Sequence, residues 1–169
     1  AAMVWHSLRY NSQVVTGFAY MLAFASVAVS RITVGTLVSS AVLAASLVAV
    51  LARRKLYELE LPAIAATYGV HWFFLWRTFE YLGGHKKFPD YPASVALLIA
   101  YWVIFTVSHF LRDDKEPAQR MTLIGAFLLN AAGFLAVMRY QSFYPQWRFW
   151  FLLGVGVVYL ALAVLSRRM

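Results

Sequence analysis

Residues 61–94 read LPAIAATYGVHWFFLWRTFEYLGGHKKFPDYPAS, and this stretch decides the fold class. Its first part, 62–82, carries only two formal charges, Arg77 and Glu80, in twenty-one residues. At about 1.5 Å per residue, such a run is long enough to cross a hydrocarbon core of about 30 Å. Pro62 suits the first turn of a helix, where a missing N–H costs nothing. Glu58 and Glu60 precede it, at the positive end of the helix dipole. Gly83-Gly84 predicts the stop. The loop 83–92, GGHKKFPDYP, holds two Gly and two Pro, and we expect no regular structure in it. A further apolar helix then begins near Ala93.

The rest of the chain repeats this pattern. Of 169 residues, 62% are hydrophobic and 13% charged, whereas a water-soluble domain averages about 45–50% and about 25%. The excess falls in blocks, predicting spans over 14–30, 34–52, 62–82, 93–111, 121–138 and 149–165. Residues 1–13, with Trp5, His6, Arg9 and Tyr10, suit a headgroup-level segment. Backbone in lipid must satisfy its own hydrogen bonds, so the spans are helical. The alternation of a transmembrane barrel is missing. The expectation is an all-α polytopic transmembrane bundle of about six spans in three antiparallel hairpins. The loops 112–120 and 139–148 read as a charged surface loop and an aromatic interfacial loop.

Several function classes lack support. The net charge is +8, but the basic residues sit at block ends and read as topology, not as a nucleic-acid face. With no Cys there is no disulfide framework and no thiolate chemistry. No phosphate-binding loop, nucleophile elbow or His-Glu-x-x-His motif occurs. No cleavable signal peptide is visible; the opening Ala1-Ala2-Met3 leaves the native start open.

An internal repeat supports this division. Gly17 precedes Arg31 by fourteen residues, and Gly125 precedes Arg139 by fourteen. Each is followed by a helix that ends in a basic pair, Arg53-Arg54 or Arg167-Arg168, as in a duplicated hairpin. Ala19/Ala23 and Ala41/Ala45 are small pairs four apart, which predicts close approach of the first two helices. Nine Lys and Arg fall on the side of both termini and six on the other, so both termini are expected in the cytoplasm.

Few side chains are placed to do chemistry. Arg77 and Glu80, three apart on one predicted helix, would share a face. They read either as an interfacial pair or as a substrate or ion contact. His71 lies near the middle of that helix, close to Tyr68. An ionisable group at that depth should face protein or a water-filled cavity. It reads as a histidine bonded to a neighbouring helix, as a proton or substrate contact, or as a haem or chlorophyll ligand. His109 lies about 9–10 Å away in depth, which counts against a shared haem. His85, Lys86, Lys87 and Asp90 read as a solvated outer loop or as a headgroup or glycan contact, with too few ligands for a metal. Asn130 predicts an interhelical hydrogen bond.

The run from Gly17 to Arg112 resembles a family of large bacterial membrane proteins of unknown function, DUF2339. The likeness rests on 71–77 (HWFFLWR), 84–89 (GHKKFP), 91–94 (YPAS) and Tyr101-Trp102, with basic turn text at 52–56 (ARRKL). The resemblance implies a bacterial cytoplasmic membrane, a chain that is either a piece of a longer protein or a short relative, and no established activity or catalytic residues. Three functions follow as expectations. The leading one is a structural or accessory subunit packed against other membrane subunits in the lipid bilayer. The second is a carrier, or a lipid- or glycan-handling protein, using His71, Arg77 and Glu80. The third is a pigment or haem subunit using His71. A membrane enzyme without a recognisable signature is the remaining reading; no catalytic residue and no metal site built from protein ligands is expected.

Overall fold

The computed structural model describes residues 13–30, 33–82, 85–88, 90–110, 117–142 and 145–166. Within them the order is α1 (Gln13–Val29), α2 (Val34–Arg54), a 3₁₀ turn (Tyr57–Leu59), α3 (Glu60–Thr78), β1 (Glu80–Leu82), β2 (His85–Lys87), α4 (Tyr91–Phe110), α5 (Pro117–Gln141) and α6 (Pro145–Ser166). The chain is a helical bundle, and the two strands form one small ribbon. Among the described residues, three helices are long and apolar enough to cross a membrane: α2, α4, and α5 from Met121 to Gln141. The segment 1–13 lies outside the described residues except for Gln13.

Helices α1 to α5 each bury a stripe at three- and four-residue spacing, whereas no described side chain of α6 is fully buried. On α3 the stripe is Ala63, Ile64, Thr67, Tyr68, His71, Phe74 and Leu75. On α4 it is Ser94, Leu98, Tyr101, Phe105 and Ser108, close to a seven-residue repeat. The opposite faces stay apolar. Phe18 is 65% exposed on α1, Leu128 61% on α5, and Trp150 65% on α6. On α3 itself Trp72, Phe73 and Trp76 point outward while Thr67 and His71 point inward. The bundle thus keeps large apolar side chains on its outside while several polar groups lie within, a surface compatible with an apolar surrounding.

The pairing of helices differs from three sequential hairpins. α2, α3, α5 and α4 form a ring, in which α3 packs chiefly on α5 and α2 on α4. α1 lies in the groove between α2 and α3, so the first hairpin is a packed pair. α3 and α4 are neighbours in sequence, but their backbones lie apart across the ring, and they meet through side chains such as His71 with Ser94 and Tyr101.

Several boundaries also move. α3 ends at Thr78, not at residue 82. Phe79 is extended (φ −68°, ψ 142°) and caps the helix through its N–H to the Leu75 carbonyl at 3.2 Å. The loop expected to lack regular structure contains half of an antiparallel ribbon, with Glu80 opposite Lys87 and Leu82 opposite His85. Gly83-Gly84 between two short runs is the signal of a two-residue hairpin as much as of a helix stop. α5 runs to Gln141 and α6 starts at Pro145, so the aromatic loop expected over 139–148 is largely helical. Likewise Pro117 already opens α5, inside the loop expected over 112–120.

Small residues do set the close approaches, though not all those expected. Ala19 is buried, but Ala45 is exposed, and the small pair that α2 buries is Ser40 and Ala44. The two glycines singled out in the repeat differ in tightness. A side chain on Gly17 would meet Leu59 at 3.0 Å, and one on Gly125 would meet Leu61 at 3.6 Å. α1 thus comes close to the turn before α3 at Gly17, and α5 reaches the first turn of α3 at Gly125 with ordinary contact. Gly133 is tighter still: an added Cβ would lie 2.5 Å from the Tyr68 ring.

Gly133→Ala should displace Tyr68 and destabilise the bundle by about 1–3 kcal/mol. Gly154→Ala on α6, where nothing lies within 4 Å, should be neutral or stabilise by up to about 1 kcal/mol. Thermal unfolding of both variants in the same detergent would check the contrast.

Candidate functional site

Two polar junctions sit one turn apart on α3, and both reach α5. In the first, the Tyr68 hydroxyl donates to Asn130 Oδ1 at 2.7 Å. Asn130 Nδ2 in turn donates to the Trp102 carbonyl at 3.2 Å and to Thr106 Oγ1 at 3.3 Å. One amide thus joins α3, α4 and α5, and the interhelical bond expected of Asn130 is present. Trp102 extends the junction outward, its indole N–H donating to the Tyr159 hydroxyl of α6 at 2.7 Å.

The second junction centres on His71, whose side chain has no exposed surface. His71 Nε2 lies 2.9 Å from Ser94 Oγ on α4. Ser94 donates its single hydroxyl proton to Gln141 Oε1 on α5 at 2.7 Å. The hydrogen at the histidine–serine contact must then come from the imidazole, so His71 carries its proton on Nε2. The donor end of the Gln141 amide faces the Met138 sulfur at 3.4 Å, which fixes its orientation. His71 Nδ1 is left as an acceptor without a hydrogen-bond partner among the described residues. The Tyr101 ring stands edge-on to the imidazole with centroids 5.6 Å apart, and Phe74 lies 6.4 Å away. Tyr101 is itself anchored, its hydroxyl donating to the Leu37 carbonyl at 2.8 Å.

Arg77 and Glu80 do not share a helix face, because the helix ends between them. Both are exposed. The Arg77 guanidinium lies 5.9 Å from the centroid of the Phe73 ring, a cation–π contact. Glu80, Arg77, the exposed Asp90, Phe74, Thr78 and Thr33 line an open recess of about 380 Å³ at one rim of the bundle. Asp90 adopts a left-handed backbone conformation (φ 55°) and its carbonyl accepts the Ser94 N–H at 2.9 Å, which starts α4. Lys87 is exposed opposite Glu80 on the ribbon. His85 and Lys86 occupy β2, and their side chains lie outside the described residues.

The expected site residues therefore divide into two groups. Tyr68 and His71 are packed inside the ring; Arg77, Glu80 and Asp90 meet at the rim. Among the described residues no three His, Cys, Asp or Glu side chains gather as metal ligands. A haem or chlorophyll ligand needs a nitrogen open to a large cavity, whereas the imidazole of His71 is closed in by Tyr101, Phe74 and Ser94. The buried partners Ser94, Tyr101 and Gln141 escape a reading of ionisable residues alone. Gln141 in particular sits in text that reads as a loop, yet it is 1% exposed. Glu60, the first residue of α3, is also 1% exposed. Comparison with models of known families, with curated proteins and with solved structures finds no match to the chain.

Ser94→Ala should leave the His71 N–H and the Gln141 carbonyl oxygen unpaired, a loss of about 1–3 kcal/mol. The triple variant His71→Phe, Ser94→Ala, Gln141→Leu removes all three polar groups and should recover much of that loss. Unfolding midpoints of wild type, single and triple variants in one detergent would check this.

Proposed function

We propose that the chain is a multi-pass membrane protein of about six spans that serves as a packed structural or accessory subunit of a larger membrane assembly. The observation that carries this reading is the closed interior. Tyr68 bonds to Asn130, and His71 Nε2 bonds to Ser94 and through it to Gln141, so these buried groups tie helices together rather than face a passage. A carrier would instead need His71 in contact with water at some stage of its cycle. The outward apolar faces of α1, α5 and α6 suit lipid and neighbouring helices, where close packing rather than the hydrophobic effect drives association.

Orientation belongs to the same proposal. The charge bias places both termini, Lys55 and the loop after α4 in the cytoplasm, and Thr33 and the ribbon outside. The bacterial cytoplasmic membrane and kinship with the long DUF2339 chains are parts of this reading, resting on the sequence resemblance alone.

The chain has no Cys, so single cysteines can be introduced without a background. In sealed vesicles a membrane-impermeant thiol reagent should label cysteines at Thr33 and at Lys55 from opposite sides. His71→Cys and Tyr68→Cys should resist it from both. Ready labelling at position 71 would replace the subunit reading with the carrier. Labelling of Thr33 and Lys55 from the same side would overturn the topology.

A further inference from the structure

The rim recess holds charges of both signs that do not neutralise one another. Its lining brings one guanidinium, Arg77, together with two carboxylates, Glu80 and Asp90. These come from the end of α3, from β1 and from the turn before α4. Among the described residues no ion pair joins them, and Arg77 rests on the Phe73 ring. Lys87 faces Glu80 across the ribbon but does not line the recess. The hydroxyl-bearing Thr33 and Thr78 complete the polar wall.

We infer that this recess binds a zwitterion bearing a primary ammonium and an anionic oxygen group, and that the phosphoethanolamine headgroup of a membrane lipid is such a ligand. The assignment follows from charge and from donor count. An anionic oxygen group matches Arg77, whose planar donors suit phosphate oxygens. Two carboxylates match an ammonium, which has N–H donors to give. A quaternary ammonium has none, so choline fits less well. The lining sums to one negative charge, so an anionic ligand without a cation is disfavoured. The volume, about 380 Å³, falls in the range of small-molecule sites. The location agrees: Thr33, Thr78 and Asp90 all stand at helix ends, and on the membrane reading proposed above those ends lie at headgroup level. The inference rests on that reading.

The test uses the full chain reconstituted into bilayers of equal parts phosphatidylethanolamine, phosphatidylcholine and phosphatidylglycerol. Protein is then extracted in mild detergent, and the retained lipid is counted by native mass spectrometry. Phosphatidylethanolamine should be retained about fivefold over phosphatidylcholine, the scale of one exposed charged contact. Arg77→Gln, and separately the pair Glu80→Gln and Asp90→Asn, should abolish that preference with an unchanged unfolding midpoint. Lys87→Gln should leave it intact. Displacement by free phosphoethanolamine would show that the headgroup alone is recognised; resistance to it would assign the site to the lipid-held form. Equal retention of the three lipids, or preference for phosphatidylglycerol, overturns the proposal. Failure of the chain to enter bilayers at all would overturn the membrane reading instead.

Discussion

A polar side chain turned away from water must find its partner inside the protein, and α3 does this twice within one turn. Tyr68 meets Asn130, and His71 meets Ser94 and through it Gln141. Each junction crosses from α3 to α5, the most extensive helix contact in the bundle. Individual bonds of this kind contribute only about 0.6 kcal/mol in a membrane bundle, because the separated helices also find partners. Their value is geometric. A rotation of α3 by one residue would present Gly69 and Trp72 to α5 and leave Asn130, Ser94 and Gln141 unmatched. Apolar surface is nearly indifferent to such a rotation in lipid; the hydrogen bonds are not.

This constraint also explains why the helices do not pair in the order in which they occur. Short turns favour antiparallel neighbours, and the α1–α2 turn gives such a pair. The connection from α3 to α4 is longer and includes the ribbon of Glu80–Leu82 and His85–Lys87 and the left-handed Asp90 before α4 begins. It spans the ring and places α4 against α2 and α5. Ser94, four residues beyond Asp90, can then stand between His71 and Gln141. The order around the ring and the three-residue polar relay are one arrangement seen from two sides.

The helical class and the approximate ends of the helices were legible in the sequence, because block length and hydrophobicity survive any rotation of a helix about its axis. Which face turns inward was less so. Ala41/Ala45 and Ser40/Ala44 are equally good small pairs on paper, and only the placement of Leu37, Leu47 and Leu51 on one stripe selects the second. His71 drew notice as a costly residue, but Ser94 and Gln141, which are uncharged, did not. Their signal was available as polar residues flanking apolar text at the same end of two helices. Arg77 and Glu80 illustrate the opposite error. Three-residue spacing implies a shared face only while the helix continues, and Gly83-Gly84 reads equally well as a helix stop or a hairpin turn.

The attachment of α6 separates an apolar surrounding from an aqueous one most sharply. Among the described residues its ties to the ring are modest. The Tyr159 hydroxyl accepts from Trp102, its ring stands 4.7 Å from Phe127, and Val155 packs against the core. Around these points Leu152, Leu153, Val157 and Leu160 remain largely exposed. In water a helix with so much uncovered apolar surface would be driven into contact with any available partner, at about 25 cal/mol for each Å² covered. In hydrocarbon that force vanishes, and one tyrosine–indole hydrogen bond with a ring contact suffices to seat the helix. On the membrane reading proposed above, the seat of α6 is thus the counterpart of the tight polar seams on α3: in lipid, helices hold where polar groups or close packing engage, and elsewhere the surrounding chains take the place of a neighbour.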